Sequence, residues 1–493
     1  MLDLSAFGKN DIRGIYGEDI TEEVFYYAGR AFVQYLSNQT GKSYSEIWVT
    51  ICRDARLHSP ALTEAVIKGV LSKGANIVNL GLAPTPLGYY SEVVGLPPYL
   101  TKYASVLGAL IVTASHNPSQ YNGLKMTYNK QSLNEEQIKD VKSLAEAEYS
   151  LQNSSNSVGQ YIEYDLIPDY TEVMINKFGK IGKGLKIVVD SANATGGVVA
   201  PKLYRAMGCE VIELYSTPDG RFPNHHPNPS DEKTLDDIKK AVVENGADIG
   251  IAFDGDSDRI GIIDSEGNSL TGDKLLFIYA QNVIKEYNTK GIKPFIVSEV
   301  KCSQVLFDSI NSLGGISVMC KTGHGYIKSK MKEVGAVLAG EMSGHTFFKD
   351  KYYGFDDAIY AGCRIIEILA EKKQENKDFK ISDMLEPFKK VYSSHEVRLS
   401  CPNSLKKSTL ETFEADISKN PKFFGTKIKE IITLDGMRIV FEGGGFALIR
   451  QSNTEPVFTL RFEAKDEALA TQYEELMVNR LLEIVKSNAV SAT

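Results

Sequence analysis

The chain has 493 residues, of which 43% are hydrophobic and 24% charged, with a formal net charge of -8 at pH 7; this is the make-up of a soluble globular protein and excludes collagenous, coiled-coil or disordered classes. At roughly 100 to 150 residues per domain, the length calls for about three or four domains. An acidic balance gives no general attraction to nucleic acid or to anionic membranes, so a phosphorylated ligand must be held by a local cluster of basic groups, and the search narrows to small phosphorylated substrates.

In chain order, the first ten residues lack a basic segment followed by an apolar one, so no secretory signal is expected. The longest apolar stretch, around residues 106–112, is far too short to span a bilayer. Cys52, Cys209, Cys302, Cys320, Cys363 and Cys401 are dispersed, with no CxxC pair and no zinc spacing. Reduced thiols without disulfides, in a cytoplasmic protein, are the expectation.

Strands predicted at 47–51 and 75–79 precede an apolar run at 108–112 that opens onto Thr113-Ala-Ser-His-Asn-Pro118. A polar turn at the carboxyl end of a strand presents a hydroxyl where ligands of open α/β sheets bind and where backbone N–H groups hold anions. Ser115 is therefore a candidate nucleophilic or phosphorylated serine; taken alone, an Asx-rich turn explains the loop equally well. Arg13, in Asp11-Ile-Arg-Gly14, and Lys125, in Asn122-Gly-Leu-Lys125, are candidates for charge stabilisation or proton transfer, each better explained as structural when considered singly. The Ser- and Asn-rich segment 150–159 reads as a linker or surface loop.

The pattern repeats. Strands at 185–189 and 210–214 precede one at 247–253 that runs into Asp254-Gly-Asp-Ser-Asp-Arg259. The alternating carboxylates of Asp254, Asp256 and Asp258 suit a hard divalent cation such as Mg2+. An EF-hand is excluded, because Arg259 and Ser265 stand where that loop needs glycine and glutamate. A solvated acidic turn is the weaker alternative, since carboxylates this close repel unless a cation lies among them. Arg259 then faces a substrate phosphate. His225 and His226 resemble a metal pair, but adjacent residues point apart and the Pro-rich setting favours a surface loop.

Strands at 294–298, 316–319 and 336–339 lead to Gly340-Glu-Met-Ser-Gly-His345, where Glu341, Ser343 and His345 offer donors and acceptors for sugar hydroxyls, although an ordinary strand-end turn is equally consistent. His324, in Thr322-Gly-His-Gly325, joins the proton-transfer candidates. After about residue 390 the pattern changes to strands at 436–441 and 445–449 and a helix over 467–486, a separate α+β domain. Between these strands and the helix, Arg450-Gln-Ser-Asn-Thr454 supplies a guanidinium, two hydroxyls and an amide, phosphate-cradle chemistry without a Walker pattern; a polar turn between strands is the alternative. The predicted fold class is α/β, with three similar mixed-sheet domains at 1–157, 158–268 and 269–390 and an α+β domain at 391–493.

Together the four loops resemble the α-D-phosphohexomutase family, in the family's order and over nearly the whole chain. Thr113-Ala-Ser-His-Asn-Pro118 is similar to its phosphoserine loop, Asp254-Gly-Asp-Ser-Asp-Arg259 to its metal loop, Gly340-Glu-Met-Ser-Gly-His345 to its sugar loop and Arg450-Gln-Ser-Asn-Thr454 to its phosphate loop. Asp11-Ile-Arg-Gly14 fits as well. Gly-Glu-Met-Ser-Gly-His resembles the bacterial branch acting on mannose and glucose phosphates rather than the glucosamine branch. Ala114 and Ser257 stand where glycine is frequent in relatives, Cys52 precedes Arg53-Asp54 where glycine is common, and Asn10 occupies a position often aromatic.

The resemblance implies four domains around a central cleft, the last like the TATA-binding-protein fold. It implies reversible conversion of a hexose 1-phosphate into its 6-phosphate through phosphorylated Ser115 and a sugar 1,6-bisphosphate that turns over between two transfers. Mg2+ would be held by Ser115, Asp254, Asp256 and Asp258, with glucose or mannose 1,6-bisphosphate as primer. Ser115, Arg13, Lys125 and His324 would be catalytic. His116, Arg259, Lys301, Glu341, Ser343, His345, Arg450, Ser452, Asn453 and Thr454 would bind substrate. A phosphoglucosamine mutase, a serine-dependent phosphatase and a non-catalytic scaffold of the same fold are the rival readings. No nucleic-acid or membrane partner is expected, and the default oligomeric state is a monomer.

Overall fold

Four groups of strands organise the computed structural model, which describes residues 2–102, 104–151, 158–452 and 456–491. In the first, β1 (Ile12–Ile15), β2 (Trp48–Arg53), β3 (Asn76–Leu82), β4 (Gly108–Val112), β5 (Tyr121–Tyr128), β6 (Gln131–Ser132) and β7 (Tyr161–Glu163) form a mixed sheet of order β1-β5-β4-β2-β3-β7, with β6 on β5. Strands β4, β2, β3 and β7 are parallel, whereas β5 returns antiparallel to β4 and β1 antiparallel to β5. Gly-Ala-Leu-Ile-Val in β4 is buried throughout, as a strand covered on both faces must be.

The second sheet repeats that device with β8 (Lys186–Asp190), β9 (Glu210–Leu214), β10 (Ile249–Phe253), β11 (Ile260–Asp264) and β12 (Ser269–Leu270), in the order β12-β11-β10-β8-β9. Here β10, β8 and β9 are parallel and β11 returns antiparallel to β10. In both sheets a fully buried parallel strand ends, a short polar loop follows, and an antiparallel strand closes the loop. That geometry sets Ser115 and the three aspartates at strand ends.

Strands β13 (Phe295–Glu299), β14 (Ile316–Cys320) and β15 (Leu338–Gly340) are parallel in the order β14-β13-β15, and β16 (Thr346–Phe348) follows. The last sheet is antiparallel: β17 (Tyr392–Ser393), β18 (Val397–Ser400), β19 (Ile428–Ile432), β20 (Met437–Phe441), β21 (Phe446–Gln451) and β22 (Val457–Ala464), ordered β17-β22-β21-β20-β19 with β18 also on β22. Helices Asn403–Lys419 and Glu467–Ser491 contribute Phe413, Ile417, Tyr473, Met477 and Leu481 to its core. From the other side of the sheet, Phe446 and Leu448 pack on Val300 and Met319.

By packing, the chain divides into two compact units, one of residues 1–271 with 343–381 and the other of 272–342 with 382–493. Segment 343–381 thus groups with the first two sheets rather than with the strands that precede it. The reason is the helix Ala358–Glu375, which starts at an Asp357 cap and is buried along most of its length. Tyr204 donates to the carbonyl of Ile359 at 3.0 Å, and Tyr170 to Asp357 at 2.9 Å. A side chain at Gly362 would strike the Tyr204 hydroxyl at 1.9 Å. Of the segment expected as a linker, residues 152–157 lie outside the described residues; the flanking helix runs to Leu151. No helix among the described residues is long and apolar enough to cross a membrane, and all six cysteines are buried free thiols.

Candidate active site

In the first unit Ser115 follows β4 with φ +50, a left-handed conformation that turns its hydroxyl out of the strand line. Its Oγ donates to Asp254 Oδ2 at 2.7 Å and lies 3.3 Å from His116 Nδ1, while its backbone N–H donates to Thr113 Oγ1 at 2.9 Å. Arg56, buried and paired with Asp54 at 3.0 Å, shapes the loop from behind. It donates to the carbonyls of Ser115 (2.9 Å), Asn117 (2.7 Å), Pro118 (2.5 Å) and Tyr121 (3.0 Å). Asp54 also accepts from Thr113 Oγ1 at 2.8 Å. Sequence reading missed this pair; the only local signal was Arg53-Asp-Ala-Arg56 at the end of a predicted strand.

Asp254, Asp256 and Asp258 are buried, and one carboxylate oxygen from each falls within 4.8 Å of the others. Asp254 Oδ1 accepts the backbone N–H of Asp258 and of Arg259 at 3.1 Å each. Asp256 Oδ2 accepts from Thr85 Oγ1 and from Lys125 Nζ, both at 2.6 Å, and Asp258 Oδ2 from Lys125 Nζ at 2.7 Å. The remaining oxygen of Asp256 is buried without a hydrogen-bond partner. A buried, unpaired carboxylate oxygen among two further carboxylates fits an oxygen-liganded divalent cation. Ser257, between two of the acids, takes φ +60, a conformation that glycine adopts more cheaply.

Burial and the neighbouring carboxylates push Asp254 well above the usual carboxylate range. Burial acts the same way on Asp258, but Lys125 and then His345 outweigh it and hold that group well below the range. Burial also opposes the charge on Lys125, yet Asp256 and Asp258 hold it well above an ordinary lysine. Lys125 is thereby held as a cation between two acids.

Arg13 donates to Asn117 Oδ1 at 2.7 Å and pairs with Asp11, and its Nε is buried without a partner. Arg259 lies 3.9 Å from Asp254, and its Nε 3.4 Å from His345 Nε2. His345 is 3.3 Å from Asp258 and 2.9 Å from Ser343 Oγ. Burial, then Arg259 and Arg13, drive His116 well below the usual histidine value, which keeps its ring neutral. Ser115, Arg13, His116, Lys125, the three aspartates, Arg259, Ser343 and His345 are thus brought together. His225 does not join them: its Nε2 meets Asp190 at 3.0 Å and its Nδ1 the carbonyl of His226 at 3.0 Å.

The second unit holds the other candidates. Glu341, at the end of β15, accepts the Gly323 N–H at 2.7 Å, next to His324 at the start of helix His324–Val334. Lys301 Nζ stands 3.4 Å from Glu396 and 3.8 Å from Glu299. Buried Glu299 accepts from Met342 N at 2.8 Å and Thr322 Oγ1 at 2.5 Å; burial raises its pKa. Arg450 Nε donates to Asp435 at 2.7 Å, and the Ser452 carbonyl accepts from Lys406 at 2.9 Å. Asn453 and Thr454 lie outside the described residues. Glu299 and Asp435 were invisible in sequence, being single acids in no motif.

Family models for phosphoglucomutase/phosphomannomutase match the chain in four consecutive parts: α/β/α domain I at residues 4–152, domain II at 168–267, domain III at 271–390 and the C-terminal domain at 396–480. A phosphomannomutase/phosphoglucomutase of Pseudomonas putida is 36% identical over 480 residues, covering 97% of this chain and 96% of that protein. A phosphoglucomutase of Neisseria gonorrhoeae is 36% identical over 482 residues, covering 98% and 97%. Among solved structures, a phosphoglucomutase/phosphomannomutase family protein from Burkholderia thailandensis superposes with a TM-score of 0.85 at 34% identity, covering 98% of each chain.

Proposed function

The chain belongs to the phosphoglucomutase/phosphomannomutase family, and from that membership and the site geometry we propose that it interconverts hexose 1-phosphates and hexose 6-phosphates, with glucose and mannose as the sugars. The observation that carries the reading is the Ser115 hydroxyl on Asp254 at 2.7 Å, beside a buried carboxylate oxygen with no partner. In the proposed cycle, phosphorylated Ser115 yields its phosphoryl group to a sugar hydroxyl. The phosphorus–Oγ bond breaks as a phosphorus–oxygen bond to the sugar forms; the sugar hydroxyl proton is taken up by Lys125 or His324 as general base, and Ser115 Oγ takes up a proton as it is released. The sugar 1,6-bisphosphate then returns its other phosphoryl group to Ser115.

Asp254, Asp256, Asp258 and Ser115 would hold Mg2+, which when bound supplies charge neutralisation at the transferring phosphoryl oxygens. Lys125 neutralises Asp256 and Asp258 and sets how much negative charge the site carries. Arg13 and Arg259 supply positive charge on the Ser115 side. Glu341, Ser343 and His345 are assigned to sugar hydroxyls, and Lys301, Arg450 and Ser452 to the phosphate that is not reacting.

Phosphorus NMR of the purified protein with Mg2+, a trace of glucose 1,6-bisphosphate and either glucose 1-phosphate or mannose 1-phosphate tests this. The matching 6-phosphate is the expected product. Free phosphate would identify a phosphatase, and an unchanged spectrum with both sugars would refute the proposed substrates.

A further inference from the structure

The backbone that leads into His324 is held by three carboxylates from three separate elements. Asp435, in the turn between β19 and β20, accepts Thr322 N at 3.0 Å; Glu299, at the end of β13, accepts Thr322 Oγ1 at 2.5 Å; Glu341, at the end of β15, accepts Gly323 N at 2.7 Å. Gly323 sits at φ +125, where only glycine is unstrained, so these bonds fix a backbone shape that a chain with side chains there would resist.

Asp435 differs from the other two acids. The same oxygen, Oδ2, that accepts Thr322 N also accepts Arg450 Nε at 2.7 Å. The Arg450 side chain is only 8% exposed and that of Asp435 20%, so neither bond is fully screened by water. A carboxylate on Nε fixes the plane of a guanidinium and thereby the direction in which its two terminal nitrogens point.

We propose that Asp435 is a positioning residue that links phosphate capture to acid–base chemistry: through one oxygen it sets the orientation of Arg450 and the placement of the Thr322-Gly-His324 backbone. The proposal rests on the assignment of Arg450 to phosphate and His324 to proton transfer given above. A shift of Arg450 on binding a phosphate is then felt at Thr322 N, and the two functions are energetically coupled through a side chain that touches no substrate.

The test is a double-mutant cycle with glucose 1-phosphate, supported by melting temperatures. D435A raises KM by about 10- to 100-fold, the loss of a charge-assisted hydrogen bond, and also lowers kcat. D435N keeps an acceptor oxygen for both donors and stays within about threefold of the parent in both constants. In an R450A background D435A leaves KM where R450A alone puts it, yet still lowers kcat through Thr322. Independent, multiplying effects of D435A and R450A on KM, or unaltered kinetics of D435A, would overturn the proposal. If R450A alone leaves KM unchanged, the phosphate assignment of Arg450 fails and the linkage falls with it. Should D435A not fold, D435S, too short to reach both donors, carries the same expectations.

Discussion

A Cβ placed on Gly255 would lie 2.3 Å from the carbonyl oxygen of Ser115. The loop of the three aspartates and the loop of Ser115 therefore approach each other as closely as backbones allow, and the only side chain compatible with that approach is a hydrogen atom. G255A must separate the loops, lengthening the Ser115–Asp254 contact. The expected result is a loss of kcat/KM of about 100-fold, the usual effect of a misplacement near 1 Å, with little change in KM. Steady-state kinetics of a variant that melts cooperatively checks it.

Thr85 donates to the oxygen of Asp256 that Lys125 also holds, leaving the other oxygen buried without a hydrogen-bond partner. T85V removes that orienting bond at nearly constant volume. Half-saturation by Mg2+ should rise about tenfold, as for other groups that orient a metal ligand, while the rate at saturating Mg2+ recovers. S115A, by contrast, should abolish turnover at every Mg2+ concentration.

Arg56 is fully buried and satisfies four carbonyls of the serine loop. R56A leaves Asp54 as an unpaired buried charge, so stability should fall by about 3 to 5 kcal/mol. Urea unfolding measures this, and a change below about 1 kcal/mol would contradict the role assigned to the pair.

Glu92 offers a pH dependence remote from the acid cluster. Burial raises its carboxyl to about 7, against the opposing bonds from Thr127 Oγ1 (2.5 Å) and Lys130 N (2.6 Å). Between an unfolded value of 4.5 and about 7, the folded state holds a proton that the unfolded chain has lost. This contribution is complete below the unfolded value and disappears as pH rises through the folded one. Unfolding free energies at several pH values should decline across this window less steeply in E92Q than in the parent protein.

Sequence alone revealed most of the sheet scaffold because parallel strands such as Gly108–Val112 and Ile249–Phe253 are apolar runs with sharp polar ends. The expected helix over 467–486 is present and extends to Ser491. The candidate loops were legible because each concentrates unusual residue types within five or six positions. Their supports were not. Arg56 acts on carbonyls some sixty residues away, and any residue can supply a carbonyl, so no local pattern marks it. Lys125 was visible as a cation, but its attachment to both Asp256 and Asp258 depends on how two sheets face each other. Helix Asn403–Lys419 was overlooked, its moderate apolar content diluted by lysines.

The first compact unit is discontinuous, its last segment spanning residues 343–381 after an excursion of the chain through the second. On the ribosome, Ser115 and all three aspartates emerge long before Ser343, His345 and the helix Ala358–Glu375 that completes their unit. Domains fold largely in the order they are synthesised, so the nascent first unit must wait, with the Tyr204 and Tyr170 surfaces uncovered, until that late segment leaves the exit tunnel. Ser115 is thus made early but becomes part of a finished structure only near the end of translation, and truncated products ending before residue 343 would expose apolar surface to chaperones and proteases.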